Sequence, residues 1–193
     1  TLKEKFKNIK KIYFSRRKFG KAVATEFGEE YIEQCFNQNG YESLGPETLT
    51  LREQIYVWNH AEAIACMNGT IPLNVVFCKN EKLKLTILNK MSIYHKNPYI
   101  YLYMRNIQAE FIDIYKEPLK GYPKSLGEGP YLIKTGKEFF HYCQREKFEI
   151  PYTGMKLKFY DLKQEIRYYL CVIGIGNKIR RVGSYIKRKM LRR

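Results

Sequence analysis

EAIACMNGTIPLNVVF, residues 62–77, runs apolar to Cys66, breaks at Met67-Asn68-Gly69-Thr70, and turns apolar again around a lone Asn74. The first run is short and strand-like; the second fits a short helix that tolerates Pro72 in its first turn. The break between them has two readings. One is a tight strand-to-helix turn capped by Asn68. The other is a ligand loop, where glycine lets an anion approach the backbone and the following helix offers free N–H groups.

Outward from this stretch, strand and helix signals alternate. Residues 11–14 read as a first strand, and 29–39 carry apolar residues at helical spacing up to Gly40. Residues 41–44 form a weak strand, and Thr50-Leu51-Arg52-Glu53 is a capping box opening a helix through Trp58. Residues 84–88 give the next strand, Asn97-Pro98 opens a helix, and 110–115 alternate like another strand. Residues 118–131 form a Gly/Pro-rich loop, and 136–148 look helical. The alternation predicts an α/β fold, with a Rossmann-like, mainly parallel sheet and flanking helices. The expected division is a domain over residues 1–150 and a basic amphipathic helical segment over 151–193.

Composition bounds the function. The 193 residues are 45% apolar and 15% aromatic, so the chain buries a core. No apolar run is long enough to span a bilayer, and no signal peptide is evident. Beginning at Thr1 without a methionine, the chain is expected to be a fragment or processed form. Five scattered cysteines show no C-x-x-C pair and no ligand spacing with His60, His95 or His141. That argues against a disulfide framework or zinc site and for a reducing cytoplasm. The net charge of +16 is concentrated at the ends, with +8 in residues 1–21, +8 in 178–193 and a neutral middle. A nucleic-acid-binding domain usually spreads its basic footprint across its body.

In parallel sheets, ligands sit where strand ends enter helices. Three such loops are polar: residues 15–21, 45–53 and 67–74. In the first, Ser15, Arg16, Arg17 and Lys18 could grip a diphosphate, since arginine supplies forked charged donors, or could simply be a solvated basic loop. Glu29, at a helix start, is also an ordinary dipole partner. Glu53 could close the capping box with Thr50, leaving Gln54 beside it. Asn68, Gly69, Thr70 and Asn74 complete the third loop. No serine–histidine–acid order, H-E-x-x-H or phosphate-binding G-x-x-x-x-G-K occurs.

The order KIYFSRRKF, TEFGEEYIEQCFNQNGYE, LTLREQIYVWNHAEAIA, NGTIPLNVVF resembles the catalytic domain of family 61 glycosyltransferases. The bacterial branch tied to capsular and other surface polysaccharides is the most similar, also through KLKLTILNK and SLGEGPYLI. The resemblance runs over about residues 11–149. It implies one half of a GT-B-like architecture, the carboxyl-terminal, donor-binding half, with the amino-terminal half-domain missing. It implies a nucleotide-sugar donor, inversion at the anomeric carbon, a glycan or lipid-linked acceptor, and no cofactor or metal. Carried over by position, Ser15, Arg16 and Arg17 or Lys18 contact the diphosphate. Glu29, Glu53 and Gln54 lie near the ribose or sugar, and the base is Glu29, Glu53 or a residue of the missing half. Asn68, Gly69, Thr70 and Asn74 line the loop beneath the phosphates. Two positions depart from the pattern: many members have histidine where Asn68 stands, and many bacterial relatives have it where Leu73 stands.

Residues 161–193 read as a terminal helix or helix pair, with Ile179, Val182, Ile186 and Met190 at helical spacing. Lys178, Arg180, Arg181, Lys187, Arg188, Lys189, Arg192 and Arg193 surround them. That composition suits an anionic membrane surface, and equally a solvated tail, a helix packing on the absent half-domain, or a partner protein. The resulting expectation is a cytoplasmic sugar transferase, peripheral on the inner face of the cell membrane, that does not bind nucleic acid. The alternatives are a nucleic-acid-binding protein using its basic ends, and a non-catalytic domain that retains the fold.

Overall fold

The structure, a computed structural model, describes residues 1–7, 9–125 and 127–174. After a one-turn helix α1 (Leu2–Lys5), KIYF forms strand β1 (Lys11–Phe14). The basic loop leads into α2 (Gly20–Thr25) and a two-residue strand, β2 (Glu26–Phe27). Helix α3 (Glu29–Gln38) follows Gly28, whose φ is +109°. A Cβ there would lie 2.2 Å from the Ile133 carbonyl oxygen, so both backbone conformation and space demand glycine. The helix ends at Gly40, with Gly40 N–H bonded to Asn37 O and Tyr41 N–H to Phe36 O, which satisfies two terminal carbonyls.

The chain continues through β3 (Glu42–Leu44), α4 (Leu51–His60) and β4 (Ala63–Met67). Residues Ile71–Phe77 form a 3-10 helix, followed by β5 (Lys84–Asn89), α5 (Asn97–Met104) and β6 (Ala109–Asp113). Next come β7 (Tyr115–Lys116), β8 (Tyr131–Ile133), α6 (Lys137–Arg145) and α7 (Gly154–Val172).

Five strands form a parallel sheet in the order β3-β1-β4-β5-β6. The chain steps from β1 to one side and then crosses to the other, so the topological switch point lies between β1 and β4. Alternation within the strands divides the core. Ile12, Phe14, Ile64, Cys66, Leu85 and Ile87 pack with Trp58, Val75 and Leu102 from α4, the 3-10 helix and α5. Tyr13, Ala65, Met67 and Leu88 pack on the opposite side with Ile32 and Phe36 of α3 and with Phe139 and Tyr142 of α6. A parallel sheet buried on both faces explains why its strands read as nearly continuous apolar runs.

A second sheet, β2-β8-β7, stands beside the first and carries Phe27 and Leu132 against Tyr168 of α7. The reading of residues 110–115 as one strand is corrected here. Pairing with β5 ends at Asp113, and Tyr115 and Lys116 then pair antiparallel with β8. Residues 131–133, the end of the expected loop and just beyond it, supply that partner. The terminal helix begins at Gly154 rather than near residue 161, and Leu157, Tyr160, Gln164 and Tyr168 turn inward on it. Residues 178–193, with their eight expected membrane-surface cations, lie outside the described residues. All five cysteines are free thiols. Among the described residues, no helix is long and apolar enough to cross a membrane.

Candidate functional site

Strand β1 ends at Phe14, and the chain must leave the sheet there. Ser15 is buried and its Oγ accepts from the Arg17 N–H at 3.3 Å. The next turn is held from below by Glu29, whose Oε1 accepts from the Arg16 N–H at 2.8 Å and from the Tyr13 hydroxyl at 3.1 Å. Burial pushes the Glu29 carboxyl up to about 7, against the lowering effect of the Arg16 N–H. Glu29 thus positions the strand end that presents Arg16.

The Arg16 guanidinium forms a fork on Glu26, with Nε 3.1 Å from Oε2 and Nη2 3.0 Å from Oε1. Lys90 donates to the same carboxylate, Nζ to Oε1 at 2.7 Å, and lies 4.0 Å over the Tyr131 ring. The Glu26 and Lys90 side chains are 3% and 7% exposed, and Arg16 is 17% exposed. Burial pulls the Lys90 ammonium below its usual range while Glu26 opposes the change. One buried carboxylate therefore holds two cations, and the trio carries a net positive charge.

These three side chains line a cavity of about 300 Å³ together with Gly69, Thr70, Lys21, Thr25 and His95. Its walls come from the carboxyl ends of β1, β4 and β5, across the switch point between β1 and β4. The His95 Nδ1 is buried and has no hydrogen-bond partner among the described residues. The cations and an open glycine loop form an anion-binding set, with the His95 imidazole in the cavity wall.

The expected residues divide around this cavity. Arg16, Gly69 and Thr70 line it. Arg17 turns to α3 and pairs with Glu33 at 2.7 Å and Glu30 at 3.5 Å. Ser15, Arg17 and Lys18 line a different cavity on the β3 side, with Ser43 and Gly45. Glu29 lines a third, of about 230 Å³, with Glu26, Gly28 and residues of α7. Asn68 is buried beside the site, donating from Nδ2 to Asn89 Oδ1 at 2.8 Å, while its own Oδ1 has no partner among the described residues.

Glu53, Gln54 and Asn74 do not line the cation-bearing cavity. Glu53 closes the capping box, its Oε2 2.7 Å from the Thr50 N, and binds Lys5 at 2.6 Å; these bonds hold its carboxyl down at about 2. Gln54 donates to the Pro46 and Leu49 carbonyls and accepts from Asn74 at 3.0 Å, which ties α4 to the 3-10 helix. Sequence reasoning missed Glu26, Lys90 and His95. Lys90 had a signal: it follows Asn89 at the end of a strand, where the rule that selected the other loops applies equally.

Residues 1–88 match the family model described as Glycosyltransferase 61. The match takes in β1 through all but the last residue of β5, so it contains Arg16, Glu26, Gly69 and Thr70 and stops just short of Lys90. Over this span the chain is similar to family 61 glycosyltransferases, which supports glycosyl transfer as its general activity and a donor and an acceptor as its substrates. No curated protein and no solved structure matches the chain.

Proposed function

We propose that this chain binds a nucleoside-diphosphate sugar in the crevice at the ends of β1, β4 and β5, as the donor-binding half of a GT-B-like inverting glycosyltransferase. The observation that carries the reading is the convergence of Arg16 and Lys90 on one cavity at the switch point, inside and just beyond the family 61 span. Preorganised cations aimed where negative charge develops stabilise a departing diphosphate. Glu26 supplies the preorganisation, since it holds both cations in place before any ligand arrives. His95 lines the same cavity.

In this reading the sugar passes to a glycan or lipid-linked acceptor during surface polysaccharide synthesis, on the cytoplasmic face of the membrane and without a metal. An amino-terminal half-domain supplies much of the acceptor site. Glu29 titrates near neutrality, which suits a general base. Its two accepted hydrogen bonds to Tyr13 and Arg16 favour a positioning role instead.

Calorimetric titration of a panel of nucleoside diphosphates, with an RNA oligomer beside them, tests the proposal. Saturable diphosphate binding that weakens in both Arg16→Ala and Lys90→Ala is expected. Salt-sensitive RNA binding without diphosphate binding would turn the reading to a nucleic-acid-binding protein, and binding of neither to a non-catalytic domain.

A further inference from the structure

Helix α7 is apolar on two faces. Leu157, Tyr160 and Tyr168 face the body, as described above. Met155, Phe159, Leu162, Ile166, Tyr169 and Ile173 form an outward row at alternating spacings of four and three, and each is exposed, from 37% at Tyr169 to 66% at Ile173. That spacing keeps side chains in one line along a helix, here for roughly 27 Å. A helix apolar on both faces is a covered helix, and a contiguous exposed apolar strip of this kind marks an interaction surface.

The charges on α7 indicate what covers it. The exposed charged side chains beside the row are Lys156, Lys158 and Lys163, all cations, while Arg167 turns toward the body, donating to Gln164 and lying over the Phe27 ring. Its two acids that approach this face are drawn back to the body, Asp161 by Lys134 at 3.7 Å and Glu165 by Lys116. The solvent side of α7 is therefore an apolar row edged only by positive charge. A second copy would set those cations against each other on chains of charge +16. An anionic lipid surface complements both features at once, because the row enters the acyl boundary while the lysines meet headgroups.

We infer that α7 is a lipid-docking helix that seats this domain on an anionic bilayer. The row is separate from the basic residues 178–193, and its lipid binding stands or falls independently of the donor site. The opposite side of α7 gives the docking a use: Tyr160, Gln164 and Arg167 wall the cavity that contains Glu26 and Glu29. Docking through the outer row holds that cavity one helix diameter, about 10 Å, from the membrane surface.

Flotation with phosphatidylcholine vesicles, with and without 30% phosphatidylglycerol (roughly a cytoplasmic-leaflet charge), tests the inference on the full chain. Binding to the anionic vesicles is expected to fall at least about tenfold in Phe159→Ser/Ile166→Ser, where two inserted apolar side chains are lost. Both sites are exposed, so circular dichroism and the thermal midpoint stay unchanged. A Lys187→Gln/Arg188→Gln/Lys189→Gln chain retains the insertion, read as quenching of Ile166→Trp fluorescence by brominated acyl chains. Wild-type binding by the Phe159/Ile166 variant, or an unquenched tryptophan on bound protein, overturns the proposal. So does a dimer seen by sedimentation that the same variant dissociates, with no vesicle binding. Loss of diphosphate binding with intact flotation sinks the donor reading alone.

Discussion

Two polar regions flank the same parallel sheet and use similar residues for different ends. At the ends of β1, β4 and β5, Arg16, Glu26 and Lys90 meet at a cavity and leave positive charge facing it. At the start of α4, Glu53, Gln54 and Asn74 bond to each other, to Lys5 and to the backbone, and none of them lines the cation-bearing cavity. The first region holds its polar groups under tension between burial and pairing. The second spends them on caps and braces. Residue type alone does not separate a site from a joint; the direction in which the last hydrogen-bonding capacity points does.

The sharpest way to break the contrast is to remove the carboxylate that holds the two cations. Glu26→Gln leaves Arg16 and Lys90 buried without a counter-charge, so urea unfolding should show a loss of about 3–5 kcal/mol. A loss under about 1 kcal/mol would mean that water, rather than Glu26, solvates the pair. The added change Lys90→Met should recover part of the loss, since one buried cation is gone.

The pH dependence of the two carboxylates offers the next test. Glu29 titrates at about 7 in the folded chain against an ordinary value of 4.5. The native state therefore holds a proton that the unfolded state has released, and Glu29 makes stability fall as pH rises from 4.5 through 7. The fall is on the order of 3 kcal/mol across that window. Glu29→Gln should flatten this slope in denaturant titrations at several pH values. Glu53 has the opposite sign. With its carboxyl held at about 2, its contribution is present above 4.5 and is lost as pH falls toward 2.

Ligand affinity gives a smaller but more selective effect. Arg16→Ala and Lys90→Ala should each raise the dissociation constant for a nucleoside diphosphate about 10–100-fold, or roughly 1.5–3 kcal/mol, as for lost hydrogen bonds to a charged group. Gln54→Ala is the control from the other region. It should cost about 1 kcal/mol of stability for its lost bonds and leave diphosphate affinity within about twofold, because the two regions share no partner. A parallel loss of affinity in Gln54→Ala would erase the distinction between site and joint.

Much of the α/β frame was legible from residues 1–115. KIYF, AIAC and KLTIL are apolar because both sheet faces are covered, and Thr50–Glu53 and Gly40 end their helices through local bonds that any tertiary setting preserves. The site was only partly legible. Arg16, Gly69 and Thr70 were found from strand-end position, but Arg17 was indistinguishable from Arg16 until α3 claimed it through Glu33. Glu26 carries no local signal of a site, and nothing local reveals that Lys90, 64 positions later, shares its carboxylate.

The sequence by itself determined the strands of the parallel sheet, the cap of α4, the end of α3 and the three polar loops, because periodicity, capping and glycine conformations act within a few residues. Tertiary structure decided which loop residues face a common space, why residues 110–116 split between two sheets, and that α7 keeps an apolar row outside. Each of these depends on pairings between distant segments. Their outcome is set by competition among many possible partners, and only the folded chain resolves it.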